Sequence, residues 1–169
     1  MCRGKFATMI SKHTIMKHSF RYLRIVILSL VFSFVSSQVN AQTQSYIQKN
    51  KTLAEKLSSK YGIPSSVILA IAFVETGGGT SRNSKALNNH FGIVGKNSIG
   101  SKYKQFESKE ESYEAFCKLV VKKKYYTALK GTEDFGKWVK AMAGAGYSTQ
   151  PGEWMRRINS IIHKYQLKD

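Results

Sequence analysis

The chain has 169 residues, with 27 Lys and Arg against 10 Asp and Glu, a formal net charge of +17. Such a charge favours polyanionic partners, namely nucleic acid, anionic lipid or an anionic cell wall. Two cysteines and four histidines leave no room for a disulfide framework and little for a metal site.

Residues 1–41 have the pattern of a targeting segment. Arg21 and Arg24 precede an apolar run from Ile25 to Val35, about the length of a secretory h-region and short for a spanning helix. Val39-Asn40-Ala41 then offers small residues suited to a signal peptidase. A retained N-terminal anchor is the competing reading, and Met9 and Met16 are alternative starts. No Cys follows the run to take a lipid. The chain is therefore expected to be exported, to the periplasm or beyond the cell.

The remainder, residues 42–169, is one domain with a modest core. Six of the basic residues fall before residue 42, so this part carries 21 basic against 10 acidic residues, a net of +11. Export argues against nucleic acid and leaves anionic envelope polymers as partners for the basic surface. The Lys122-Lys123-Lys124 triplet reads as a solvated face. Cys117, at helical spacing with Tyr113, Phe116, Val120 and Val121, reads as core and not as a nucleophile. No Cys or ligand-spaced carboxylate accompanies His90 or His163, so neither a metal nor another cofactor is expected.

Taken in chain order, the elements are mostly helical. Residues 45–60 suit a Lys-rich helix with Ile47, Leu53 and Leu57 inward. Gly62-Ile63-Pro64 ends it, and Pro64 with Ser65 and Ser66 opens an apolar helix running to Glu75. Asn83 to Leu87 suits one short turn. Residues 91–106 mix glycines, β-branched and aromatic residues without helical period, as a small hairpin or irregular lobe does. Ser108-Lys109-Glu110-Glu111 has capping-box spacing and opens a helix to about Lys123. Phe135, Trp138, Val139 and Met142 mark a helix over 134–143. Trp154, Ile158, Ile161 and Ile162 mark the last, from about Glu153 to Tyr165.

Glu75 stands out chemically. It closes the apolar run Val67-Ile-Leu-Ala-Ile-Ala-Phe-Val74 and is followed by Thr76-Gly77-Gly78-Gly79. Burial and the negative end of a helix dipole both disfavour its ionised form, as a general acid near neutral pH requires. The bland alternative is a Glu reaching solvent at a helix end.

Three further stretches accompany it: Asn88-Asn-His-Phe-Gly-Ile93, then Phe106-Glu-Ser108 with Glu111-Ser112, then Trp138 with Gly146-Tyr-Ser-Thr-Gln-Pro151. In that order, after Glu75-Thr-Gly-Gly-Gly-Thr-Ser81, they resemble the glucosaminidase family of peptidoglycan hydrolases (glycoside hydrolase family 73). The resemblance covers about residues 60–167. It implies a lysozyme-like, mainly α (α+β) domain with a small β-lobe beside a saccharide-binding cleft. The implied activity is hydrolysis of the β-1,4 bond after N-acetylglucosamine in peptidoglycan glycan strands, by a monomer. The family's catalytic Glu falls on Glu75, and the aromatic thought to contact the N-acetyl group falls on Tyr147. Asn89 and Phe91 match positions at the cleft floor, with a purely structural role as the alternative. Tyr126 and Ser148 complete the candidate substrate-binding set.

Two departures bear on mechanism. Gly78 stands where the family often has Trp, which removes one stacking surface. Between Gly95 and Phe106 there is no carboxylate, whereas many members are proposed to draw a second acid from this lobe. Glu107 is the nearest replacement, but it precedes the capping Ser108 and reads as a solvent-facing turn residue. Most glycosidases need two carboxylates; the exception is assistance by the substrate's own 2-acetamido group. One protein acid with a substrate nucleophile is therefore the favoured mechanism. Cleavage after N-acetylmuramic acid, as by a muramidase or lytic transglycosylase, and a non-catalytic wall-binding module are the alternatives. Nothing in the sequence selects a mannose-bearing substrate.

Overall fold

The computed structural model describes residues 44–167. The expected export signal, residues 1–41, lies outside the described residues. Among those described, helices form at 44–61 (α1), Ser65–Thr76 (α2), Arg82–Leu87 (α3), Lys109–Val121 (α4), Tyr126–Leu129 (α5), Phe135–Gly144 (α6) and Pro151–Lys164 (α7). None is long and apolar enough to cross a membrane.

α2 is the central element. All its residues are buried except Phe73, which is half-buried, and Glu75, which is exposed. A helix apolar all round must be surrounded, and α2 packs chiefly on α7 and α6. These present Trp154, Ile158 and Ile162, and Trp138, Val139 and Met142, all buried. Ile68, Leu69 and Ile71 of α2 are at most 2% exposed; burying each contributes about 1.5–3 kcal/mol. Pro64 starts the helix with its carbonyl accepting from the N–H groups of Val67 and Ile68, both at 3.1 Å.

The end of α2 fixes where Glu75 stands. Gly77, Gly78 and Gly79 take φ of 57°, 69° and 80°, a left-handed run that only glycine adopts without strain. Gly78 N–H closes on Phe73 O at 2.9 Å, a Schellman-type ending. Gly78 is buried over the Phe73 ring, 3.0 Å from where a Cβ would stand, and does not line the cleft described below. The glycine at this position is thus a backbone requirement of the turn.

The capping motif before α4 holds with a shift. Ser108 Oγ accepts from Glu111 N–H at 3.1 Å, but Glu111 Oε2 accepts from Glu107 N–H at 2.9 Å, one residue earlier than in the usual box. Tyr113, Phe116, Cys117 and Val120 are buried as their spacing predicts, whereas Val121 is 38% exposed because α4 ends there. The single turn α5 has no counterpart in the sequence reading.

Residues 91–106 form an irregular lobe with one isolated antiparallel bridge, Val94 to Tyr103, instead of a regular hairpin. Backbone bonds run from Gly95 N to Lys102 O at 3.0 Å and from Lys104 N to Ile93 O at 2.7 Å. A third runs from Gln105 N to Lys96 O at 2.9 Å, and side chains add the remainder. Asn97 Nδ2 donates to the carbonyls of Ser101 and Tyr103, and its Oδ1 accepts from the N–H groups of Ile99 and Ser101. Asparagine side chains offer the backbone partners that a strand ladder otherwise supplies.

Candidate active site

Between the lobe and the helices lies a cleft of about 480 Å³ lined by Glu75, Phe91, Gly92, Ile93, Val94, Tyr103, Phe116, Leu119, Val120, Lys123, Tyr125, Gly146 and Tyr147. Five of these are aromatic and only two, Glu75 and Lys123, have a carboxyl or amino group on the side chain. Aromatic walls with a single acid suit a sugar chain, whose rings present apolar faces. A second hollow of about 300 Å³ at the α1–α2 turn holds Glu55 and Glu133 but no aromatic side chain, and so offers no such platform.

Glu75 projects from the last turn of α2 into this cleft. The sequence predicts a buried acid; the structure makes Glu75 exposed, because the cleft it lines is open. Protein atoms still crowd its carboxyl, and this desolvation raises its pKa above the ordinary value. A hydrogen bond from Trp154 Nε1 to Oε1, at 3.1 Å, and the positive charge of Arg157 work against that rise without cancelling it. Indole N–H is a donor only, so Oε1 must accept and the proton of the neutral acid belongs on Oε2. Oε2 faces Gly92, where a Cβ would stand 3.7 Å away. Gly92 has φ 64°, which keeps a side chain out of the space beside that proton.

Tyr147 lines the cleft beside this acid. Its ring meets Phe116 edge-on at 6.2 Å and Trp154 at 5.0 Å, and its hydroxyl donates to Phe91 O at 3.4 Å. Burial, then the negative charge of Glu75, pushes its pKa well above the usual value, so it stays a neutral phenol. Phe91 is 4% exposed and stacks on Phe116 at 4.2 Å with the planes 7° apart, forming the floor.

Asn89 is elsewhere. It is 1% exposed; Nδ2 donates to the carbonyls of Ile93 (2.8 Å) and Lys104 (2.7 Å), and Oδ1 accepts from Ile93 N–H at 3.1 Å. Its amide is fully used in tying the lobe from beneath and has no group left for a sugar. Tyr126 lies outside the cleft, with its hydroxyl donating to Tyr61 O at 2.7 Å; its neighbour Tyr125 is the one in the lining. Ser148 also lies off the lining, where its Oγ accepts from Gln150 N–H at 3.1 Å in the turn before α7. Glu107 is exposed and outside the cleft, engaged through its backbone with Glu111 and Asn88.

Behind the floor is a buried polar chain. Tyr46 Oη lies 2.8 Å from His90 Nδ1 and 3.0 Å from Tyr113 Oη, and His90 N–H donates to Ser112 Oγ at 2.9 Å. Burial, then the charge of Lys109, lowers the His90 pKa to about 4, against a small opposing pull from Glu110, so the ring is neutral at neutral pH. Cys117 is buried and its thiol is pushed up to about 12, chiefly by burial. Among the described residues no group of three or more His, Cys, Asp or Glu is placed to hold a metal ion.

Trp154, Tyr103, Tyr125 and Lys123 were not singled out as site residues from sequence. Trp154 is legible as core by its helical spacing, but nothing in the sequence aims its Nε1 at an acid 79 residues away.

Comparison with known proteins bears on the whole arrangement. The family model Glucosaminidase, described as mannosyl-glycoprotein endo-beta-N-acetylglucosaminidase, matches residues 51–167. The exo-glucosaminidase LytG of Bacillus subtilis is 24% identical over 151 residues, an alignment covering 76% of this chain and 53% of that protein. This chain thus spans about half the length of that curated relative. The catalytic domain of the autolysin Auto from Listeria monocytogenes superposes with a TM-score of 0.63 at 24% identity, covering 75% of this chain and 85% of that one. A peptidoglycan hydrolase from Sphingomonas sp. A1 gives 0.57 at 23% identity, covering 73% and 93%. At these identities the two structures speak for the fold.

Proposed function

The chain belongs to the glucosaminidase family, and on that premise we propose that it is an exported peptidoglycan hydrolase cleaving the β-1,4 bond after N-acetylglucosamine. In this reading residues 1–41 are the export signal, 42–169 the catalytic domain, and Glu75 the general acid. A wall substrate is favoured over a mannose-bearing one by the basic character of the chain and by relatives named as an autolysin and a peptidoglycan hydrolase.

The observation that carries the proposal is that, among the described residues, Glu75 is the only carboxylate lining the aromatic cleft, with Oε1 held by Trp154 and Oε2 beside Gly92. In the proposed reaction Oε2–H gives its proton to the glycosidic oxygen as the C1–O bond breaks. The carbonyl oxygen of the substrate's 2-acetamido group, oriented by Tyr147, bonds to C1 in its place. Water then adds to C1 as the Glu75 carboxylate takes its proton, and the acetamido group is released. Two inversions at C1 give net retention.

Glu75→Gln and Glu107→Gln variants assayed on purified sacculi test this. The first should lose about 10³-fold in rate, the usual scale for a general acid, while the second keeps nearly all activity. Complete loss from both sinks the single-carboxylate mechanism. Mass spectrometry of the fragments should find N-acetylglucosamine at the new reducing ends. N-acetylmuramic acid there would instead make the protein a muramidase or transglycosylase, and binding without fragments a wall-binding module.

A further inference from the structure

The densest positive charge in the domain, Lys122-Lys123-Lys124, sits on the turn that ends α4, at the edge of the cleft. Lys123 N–H donates to Val120 O at 2.9 Å and its carbonyl accepts from Tyr126 N–H at 3.0 Å, so the backbone of the turn is fixed while all three side chains are exposed. Lys123 lines the cleft, and with it are two apolar side chains unusually open to water, Val94 at 69% and Leu119 at 43% exposed. No ion pair among the described residues involves any of the three lysines, whereas nearby Lys118 and Lys60 both pair with Glu114.

We infer that Lys123, flanked by Lys122 and Lys124, forms a subsite for a carboxylate carried on the substituents of the glycan strand, with Leu119 and Val94 receiving the apolar part of the same substituent. This rests on the reading of the cleft as a glycan-hydrolysing site. A plain N-acetylglucosamine polymer is neutral and gains nothing from an unpaired cation in the groove that holds it. Wall strands carry a lactyl ether on alternate sugars, which offers a methyl group and a carboxylate, or a peptide with methyl groups and carboxylates of its own. Lysine suits either, because its compact charge on a flexible stem follows a mobile carboxylate, where arginine's fork suits a fixed one.

The test compares kcat/KM of the full chain on three substrates: neutral β-1,4 N-acetylglucosamine oligomers, peptide-free wall strands with free lactyl carboxylates, and peptide-bearing strands. Lys123→Gln should lower the ratio of carboxylate-bearing to neutral substrate about tenfold, the scale of one charge-assisted hydrogen bond. The change should lie in KM, be restored in part by Lys123→Arg, which keeps the charge but not the flexible point contact, and shrink at high salt. A fall on peptide-free strands assigns the subsite to the lactyl carboxylate, and a fall on peptide-bearing strands alone assigns it to the peptide. An unchanged ratio, or equal loss on the neutral oligomer, overturns the inference. If the wild type hydrolyses none of the three, the proposed activity fails instead. Co-sedimentation of the same variants with the strands then decides the subsite, and unchanged affinity overturns it.

Discussion

On one side of the cleft Glu75 stands one residue from the end of a helix whose other residues, Phe73 apart, are buried; on the other, residues 93–105 are held by one antiparallel bridge, three backbone hydrogen bonds and asparagine and glutamine side chains. The acid-bearing wall is braced by α6 and α7, and Trp154 holds one carboxyl oxygen. The lobe wall contributes shape and apolar surface but no carboxylate. Most of its hydrogen bonds run through side chains and several are exposed, which makes it the easier wall to open locally. The difference teaches that the acid is carried by the element the core surrounds, while the facing wall, built on irregular backbone, supplies shape and apolar surface.

The contrast is broken most severely at Asn89. Asn89→Ala leaves the N–H of Ile93 and the carbonyl of Lys104 without their side-chain partner, and Ile93 O with Lys104 N–H alone, and should cost about 3 kcal/mol in urea unfolding. Hydrogen exchange should lose protection across 93–105 while the amides of α2 keep theirs. Equal loss in α2 would mean that the two walls are one cooperative unit.

A smaller effect is expected from acid. His90 has a folded pKa of about 4, lowered from 6.5, so the unfolded chain binds more protons between those values. The sign follows: stability present above pH 6.5 falls as pH drops toward 4 and then levels off. Allowing for partial solvent screening, the loss should be about 2 kcal/mol. Urea midpoints measured through this window for the wild type and for His90→Gln check it, since the variant should lack that slope.

The sequence shows more of the braced wall than of the loose one. Pro64, the apolar run and Gly77 bound α2 to within a residue, because helix starts and stops have local causes. Ser108 likewise marks α4. The lobe is legible only as irregular, since its bonds depend on where Asn89 and Asn97 turn their amides and not on any period. Asn89 reads as a sugar contact because asparagine suits both tasks; only burial separates them. Tyr125 and Tyr126 stand together at the start of an unforeseen helical turn and both rest on Trp138, yet only Tyr125 lines the cleft. Trp154 announces its burial by spacing, yet its bond to Glu75 is a long-range fact that no local pattern carries.

That bond is also the finest way to sharpen the comparison. Trp154 Nε1 donates to Oε1 and favours the ionised acid, while burial favours the neutral one and prevails. Trp154→Phe keeps an aromatic against Tyr147 and removes the donor along with part of the ring, so the Glu75 pKa should rise further. A general acid works while protonated, so activity falls as pH climbs through its pKa; in the variant that alkaline limb should move to higher pH. The plateau rate should change by no more than about fivefold, the scale of one neutral hydrogen bond. Arg157→Gln should move the limb the same way but by less, because Arg157 is exposed and its charge is screened. A limb that stays put in Trp154→Phe would mean that the acid's proton is governed by burial alone, and that the brace from α7 fixes its position without tuning its charge.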